Sequence, residues 1–552
     1  MREGLKAKLI VPPFLIGTLL FVCALTFYYF AVLRIDYSKT TLLNLAPHPD
    51  ATEYFAQAAA LERHGWPFIQ IAYEKLPSRY PFGYPVLMLP WLKILPAADA
   101  VLAPLRTSQT MGLLLLLAVF VFYAYLAMPL AGGVATLLLA TLPGFFTFCR
   151  SSLSEVSASL LIVLAFMFSY LGVRQGRWCN ICLAALFVGL SVNVRLQSLF
   201  FAPLLLAIAV VPVQGRRWRL LLRCAAVCVV FVLAASPVLV LNTIQFRSPF
   251  KTGYDFWASY LSTQHLLFSV FYVINNVGML WQQFTLQPHG YDAANIFGTG
   301  TSFVPAFVLL ICAGLLLIRL SWFVCCAFLS GLSSFGATVC YLFGADGRLY
   351  LPLLILVVAI AVLPIMWAAN NVFAGKRLIA SLAPFLLFAA ACLGYPSRSG
   401  YNAHGIGRFQ AWDALHFTTP PRQSIQFVAQ RNFAKAVSRQ PGIVLSDIDP
   451  VYLNALLGPS FVAAPIDGKH HYKWSDTWHY HRPQAMALVE HGLQQSLPVY
   501  ALFTSQDEAA TNQFRLPKVV GWEWHTLNSA QDSGAILTLT AVASDQASTA
   551  SE

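Results

Sequence analysis

From Thr107 to Ser397 the chain is a near-continuous series of apolar stretches, broken by short basic turns and by turns that carry acids. Such a pattern fits a polytopic membrane protein, because a soluble fold has nowhere to hide this much apolar surface. Charged residues are 11% of the chain and hydrophobic residues 58%, against about 25% charged in an average soluble domain. The mean hydropathy is +0.63. Between residues 101 and 400 the only acids are Glu155, Asp255, Asp292 and Asp346, and all fall on one expected side of the bilayer.

The formal charge of +12 does not point to nucleic acid. Lys and Arg gather in the short turns Arg174 to Arg177, Gln214 to Arg223 and Lys376 to Arg377, where they act as a positive-inside signal. The eleven cysteines lie between Cys23 and Cys392, in or beside apolar segments, so a disulfide-stapled exterior is not expected. The Cys179–Cys182 pair has no second pair at zinc-ribbon spacing and reads as small apolar helix residues.

Arg2, Lys6 and Lys8 precede an apolar run from Val11 to Leu33, which is long enough for a bilayer core of about 30 Å at about 1.5 Å per residue. The run ends at Arg34 without a small-residue cleavage site, so it is expected to stay as an anchor with the N-terminus in the cytoplasm. Further spans are expected near 108–128, 130–147, 153–173, 179–194, 196–213, 224–241, 302–319, 321–343, 349–367 and 378–395, about eleven in all. That count places every basic turn inside and the C-terminus outside. Phe82 to Leu95 is short and holds Pro85, Pro90 and Lys93, so it reads as interfacial or re-entrant.

The expected organisation is a transmembrane domain over 1–395 and a small extracytoplasmic α/β domain over 396–552. Within the first, two large loops, 34–106 and 242–300, lie outside. Asp50 to Gly65 carries Tyr54, Phe55, Ala58 and Leu61 at helical spacing, which predicts an amphipathic helix lying on the membrane. In the tail, Ile443 to Leu445, Pro498 to Phe503 and Ala535 to Leu539 read as strands, Arg482 to Gln494 as a helix, and the end from Asp545 as disordered. All twelve histidines fall in expected exterior segments, and no Asn-x-Ser/Thr sequon occurs, which favours a bacterial inner membrane.

Two stretches of the first loop carry chemistry: His48-Pro49-Asp50-Ala51-Thr52-Glu53-Tyr54, and Tyr73-Glu74-Lys75-Leu76-Pro77-Ser78-Arg79-Tyr80-Pro81-Phe82-Gly83-Tyr84-Pro85. Three others follow: Arg150 to Glu155, Asn242 to Tyr254, and Gly347 to Leu353. In this order they resemble the GT-C class of membrane glycosyltransferases, which includes protein O-mannosyltransferases and lipid A aminoarabinose transferases. The resemblance covers roughly residues 10 to 395. It implies a GT-C-like fold and transfer of a sugar from a polyprenyl-phosphate carrier to a lipid, glycan or protein acceptor at the outer membrane surface.

The roles it implies follow from the reaction. The acceptor hydroxyl must lose a proton and the lipid phosphate must leave as an anion, so a carboxylate and fixed cations are needed. Asp50 is expected to act as general base or to orient the acceptor, the plainer reading being a helix cap. Glu155 is expected to orient Asp50 or help hold a divalent cation, the plainer reading being an ion pair with Arg150. Arg348, Tyr350, Lys75, Arg79 and Arg195 are expected at the donor phosphate, where guanidinium offers a two-pronged contact, although Arg195 would also suit a side chain snorkelling to the interface. Tyr54 and Tyr84 are expected to face acceptor or sugar. His470, His471, His479 and His481, with Asp467 and Asp476, form a stretch that would suit zinc but lacks fixed ligand spacing. Nucleotide-binding signatures are absent. The alternative from another class is a lipid-linked sugar transporter or flippase, for which paired repeats and midplane acids would be expected.

Overall fold

The computed structural model describes residues 11–37, 49–209, 217–264, 266–284, 322–372, 433, 437, 441–447, 449–466, 482–528 and 535–541. The expected spans 302–319 and 378–395, the histidine stretch 467–481 and the expected disordered end lie outside these. The chain forms two compact units. One comprises Met1–Asp36, Leu105–Leu241 and His265–Pro421; the other comprises Tyr37–Pro104, Asn242–Gln264 and Arg422–Glu552.

In chain order the helices begin with α1 (Val11–Tyr28), which ends in a π-helical turn over Tyr29–Leu33. Then come α2 (Asp50–His64), the hairpin β1 (Ile69–Ile71) and β2 (Glu74–Leu76), and α3 (Gly83–Ile94). The apolar series follows as α4 (Ala103–Tyr125), α5 (Pro129–Thr141), α6 (Pro143–Cys149), α7 (Glu155–Gln175), α8 (Trp178–Val194), α9 (Leu204–Ala209) and α10 (Arg217–Phe246). The short α11 (Gly253–Trp257) and α12 (Ser259–Thr263) precede α13 (Tyr272–Phe284), α14 (Trp322–Val339) and α15 (Leu351–Val372).

The first unit is a helical membrane body. Among the described residues four stretches, lying wholly or mostly in this unit, are long and apolar enough to cross a bilayer: Phe14–Leu33, Asp99–Tyr125, Glu155–Gln175 and Leu220–Phe246. Shorter apolar helices accompany them, and two expected spans prove to be broken. The run 130–147 divides into α5 and α6 because Leu142, next to Pro143, is forced to extended backbone (ψ 116°). The run 196–213 becomes a 3₁₀ turn over Leu196–Phe201 followed by α9, with Pro203 at the junction. Helices α1 and α5 meet through Gly17 and Gly133, where a Cβ on either would collide with the other backbone. Tyr123 ties α4 to α15 by donating its hydroxyl to the Ala359 carbonyl at 2.7 Å.

Pro237 sits inside α10 and removes a rung of the helix ladder. The buried Asn193 of α8 bridges the opening. Its Nδ2 donates to the Ala234 carbonyl at 2.6 Å and to Gly189 at 3.1 Å, and its Oδ1 accepts from the Val238 N–H at 2.9 Å. A polar side chain is tolerated in this apolar surrounding because the groups it meets would otherwise stand unpaired.

The second unit centres on a five-stranded sheet: β3 (Gly442–Ser446), β4 (Phe461–Pro465), β5 (Val499–Phe503), β6 (Trp522–Asn528) and β7 (Ala535–Ala541), in the order β4-β3-β5-β7-β6. The first three are parallel, and their crossovers carry α16 (Pro450–Leu457) and α17 (Arg482–Gln494). After β5 comes α18 (Gln506–Asn512), and β7 then pairs antiparallel with both neighbours. Strands β3, β5 and β7 match the expected runs. Strand β4 (Phe-Val-Ala-Ala-Pro) carries little strand signal and survives as an edge, where a terminal proline costs no ladder bond. The core is Phe433, Val437, Val444, Leu453, Phe461, Ala463, Leu502 and Ile536.

The first loop is built into this unit. Ala72 N–H donates to the Ala463 carbonyl of β4 at 2.9 Å, Asn454 Nδ2 donates to the Gln70 carbonyl at 2.9 Å, and Arg63 donates to the Ala455 carbonyl at 2.9 Å. Helix α2 does not have the free apolar face of a membrane-surface helix. Every residue from Asp50 to Ala60 is buried, because its alanines allow α3, α16 and β1 to pack close.

At the C-terminal end of β3, Asp447 Oδ2 lies 3.4 Å from both the Thr504 N–H and its hydroxyl, and that hydroxyl also touches Glu508. Burial, then the charge of Glu508, pushes Asp447 up to about 7. The folded protein therefore holds a proton that the unfolded chain, with a carboxyl near about 3.9, releases. The stabilising contribution is complete below the unfolded value and is lost as pH rises through 7. Hydrogen-exchange protection of β3 and β5, corrected for intrinsic exchange, is expected to fall between pH 5 and pH 8 in the wild type and to change much less in Asp447→Asn. Equal protection of the wild type at both pH values would refute this.

Candidate active site

Asp50 opens α2, and an acid in that first turn interacts favourably with the helix dipole. It is not the cap: Pro49 holds that position, and Asp50 Oδ1 accepts the Tyr80 hydroxyl at 2.6 Å. Burial, and next the Asp50 charge, push the Tyr80 phenol well above its ordinary range. Tyr80 therefore keeps its proton and serves Asp50 as a donor.

Glu53 lies about one turn further along α2 and is completely buried. Its Oε2 accepts from Ser78 Oγ at 2.7 Å and the Arg79 N–H at 2.8 Å, and its Oε1 pairs with the Arg79 guanidinium. Gln57 Nε2, a further turn on, donates to Ser78 Oγ at 2.8 Å. Burial pushes the Glu53 carboxyl up, and the Arg79 charge pulls it back. From the other side, Trp257 Nε1 donates to the Pro77 carbonyl at 2.7 Å, and its ring lies 4.8 Å from the Arg79 guanidinium. Gly253 is required there, since a Cβ would strike the Ser78 carbonyl. The face of α2 bearing positions 50, 53 and 57 thus grips the strand of chain from Pro77 to Tyr80.

In the first unit, Glu155 opens α7, is 1% exposed, and pairs through Oε1 with Arg195 Nη1 at 2.7 Å. Arg195 Nε donates to Gln197 Oε1 at 3.3 Å, and Gln197 Nε2 donates to Thr338 Oγ1 at the end of α14. Beyond α14, Asp346 Oδ1 accepts the Arg348 backbone N–H at 3.1 Å, and its Oδ2 pairs with Arg348 Nε at 2.6 Å. Glu155 Oε2 is buried without a hydrogen-bond partner.

Several expected site residues are therefore placed differently. Arg79 is committed to Glu53 and the Trp257 ring rather than held out for a phosphate. Tyr84 is wholly buried, its hydroxyl donating to the Pro104 carbonyl at 2.8 Å, and Tyr54 packs between Tyr80 and Tyr84 with centroids 5.0 and 5.1 Å away. Tyr54, backed by Tyr84, thus packs against the Tyr80 ring that donates to Asp50. Tyr350 is buried, and its hydroxyl donates to the Gly344 carbonyl at 2.7 Å. Lys75 is exposed on β2 with its ammonium 4.9 Å from the Phe68 ring centroid. The charged partner of Glu155 is Arg195, not Arg150. Glu53, Tyr80, Trp257, Gln197, Thr338 and Asp346 were not among the expected site residues. For Glu53 the signal was readable, as polar residues at 50, 53 and 57 mark one face of an alanine-rich helix.

No protein-family model and no curated protein matches the chain. Solved structures do. ArnT from Cupriavidus metallidurans, bound to undecaprenyl phosphate, superposes with a TM-score of 0.54 at 11% identity, over 94% of this chain and 97% of that one. Its apo state gives 0.56 at 11% identity with the same coverage. The oligosaccharyltransferase of Archaeoglobus fulgidus in its apo form gives 0.52 at 12% identity, over 90% of this chain and 70% of that one. These likenesses establish the fold, and it is the GT-C fold that the motif order implied.

Proposed function

We propose that this chain is a membrane glycosyltransferase that moves a sugar from a polyprenyl-phosphate-linked donor to an acceptor hydroxyl on the extracytoplasmic side. The membrane would be a bacterial inner one, with the N-terminus in the cytoplasm and the C-terminus outside. The observation that carries the reading is Asp50, held at the mouth of a buried helix by a protonated tyrosine, within a fold shared with a protein solved on undecaprenyl phosphate.

In the proposed reaction the acceptor oxygen attacks the anomeric carbon, the bond from that carbon to the phosphate oxygen breaks, and the hydroxyl proton passes to Asp50. The leaving phosphate takes the bonding pair and needs a fixed cation, for which Arg348, Arg195 and Lys75 are each candidates. Asp346 and Glu155 hold the two arginines, so each fork is oriented before a donor arrives. Among the described residues no three His, Cys, Asp or Glu side chains converge. A divalent cation held chiefly by the donor phosphate would need only one or two protein carboxylates, and Glu155 is the candidate for that part.

The test is mass spectrometry of lipid-linked sugars and surface glycans in a deletion strain, paired with transfer by the purified protein in nanodiscs. A retained carrier-linked sugar, with the sugar missing from its acceptor, is expected. A purified protein that moves the intact donor across the bilayer without cleaving it would overturn the reading in favour of a transporter. Arg348→Lys keeps the charge but loses the two-pronged contact, so donor affinity and turnover are both expected to fall. Unchanged values in Arg348→Lys and Arg348→Ala would remove Arg348 from the site.

A further inference from the structure

Helix α13 is built inside out. Phe271, just before it, and Ile274 are 87% and 86% exposed, and Val270 and Val277 are exposed beside them, whereas Asn276 is 1% exposed. In a water-facing helix the apolar residues would turn inward and the asparagine outward. Here Asn276 Nδ2 donates to the Val339 carbonyl at 2.9 Å and the Tyr341 carbonyl at 2.8 Å, groups left over where α14 ends. The approach segment docks on the same stretch, with Ser269 N–H to the Cys340 carbonyl at 2.8 Å and Leu342 N–H to the Leu267 carbonyl at 2.9 Å. Gly344 closes the contact, since a Cβ there would strike the Thr338 carbonyl and crowd Asn276 Nδ2. Two residues further lies Asp346, which orients Arg348.

Three features say what covers the outward side. Asn275, Asn276, Gln282 and Gln283 interrupt the apolar run of this segment, which does not suit a continuous bilayer span. From Leu266 to Phe284 there is no Lys, Arg, Asp or Glu, so no charged partner is selected. Helix α14 and the turn after it expose further apolar side chains, Phe328, Leu329, Leu332 and Phe343. Asn275 is exposed about 100° around the helix from Ile274, giving a polar flank beside the apolar one. A docked face, an apolar face and a polar flank are what a helix lying in the plane of the interface requires.

We infer that the segment from Leu266 to Phe284 lies in the membrane interface with Val270, Phe271 and Ile274 against phospholipid acyl chains, tying the turn that carries Arg348 to the bilayer surface. The contact is independent of which substrate the enzyme uses.

A benzophenone amino acid placed at 271, 274 or 275 of the full-length protein, in nanodiscs of phosphatidylcholine and phosphatidylglycerol, tests it. After irradiation, phospholipid adducts are expected at 271 and 274 and severalfold fewer at 275. Crosslinks from 274 to residues 285–321 of the same chain or to a second copy would overturn the inference, as would equal lipid adducts at 275. Asn276→Leu tests the tie. Hydrogen exchange over residues 340–348 should rise while lipid adducts at a benzophenone in position 274 persist. Unchanged exchange there would show that α13 touches lipid without holding the turn.

Discussion

Replacing Asp50 by asparagine is expected to lower sugar transfer by about a hundredfold or more in a protein that remains folded. The amide keeps an oxygen that can accept the Tyr80 hydroxyl, now 2.6 Å from the carboxylate, so the local hydrogen bond survives while the base is lost. No cap is removed either, because Pro49 occupies the cap of α2. Transfer by the purified variant, with thermal unfolding as control, separates the roles. Near-normal transfer by a stable Asp50→Asn protein would return the residue to a structural part. Tyr80→Phe removes the donor and leaves the carboxylate, so its loss is expected to be smaller, and the two variants together divide proton acceptance from orientation.

Glu53→Ala is expected to destabilise the second unit by about 3–5 kcal/mol, the range for removing one partner of a buried ion pair. The substitution leaves the Arg79 guanidinium, the Arg79 N–H and the Ser78 hydroxyl without their acceptor in a buried place. The accompanying change, Glu53→Met with Arg79→Met, removes both charges and should recover most of the loss. Stability is read as the midpoint of unfolding in detergent and as exchange protection across 77–80. A single variant as stable as the wild type would show that the pair does not latch this loop, and a double variant worse than the single would show that the ionic contact is itself stabilising.

The sequence was informative wherever the signal is local. Apolar runs report a membrane protein directly, because each residue's preference for lipid or water adds independently of its neighbours in space. Asp50 stood out as a candidate because it belongs to an ordered set of short stretches. The breaks at Pro143 and Pro203 were written in the chain too, although apolar composition masked them.

What a charged residue is for was decided elsewhere. Arg79 looks like any cation beside a membrane mouth until α2 brings Glu53 against it, from 26 positions away in sequence. Glu155 sits five residues from Arg150 yet pairs with Arg195, because α7 and α8 pack side by side and bring the end of one to the start of the other. The first loop and the tail read as separate pieces, and only the fold lets Ala72 reach Ala463 and Arg63 reach Ala455. Local composition sets which residues leave water; chain closure sets which buried polar groups meet. Burial makes each unpaired group costly, so partner choice follows the tertiary contacts rather than distance along the chain.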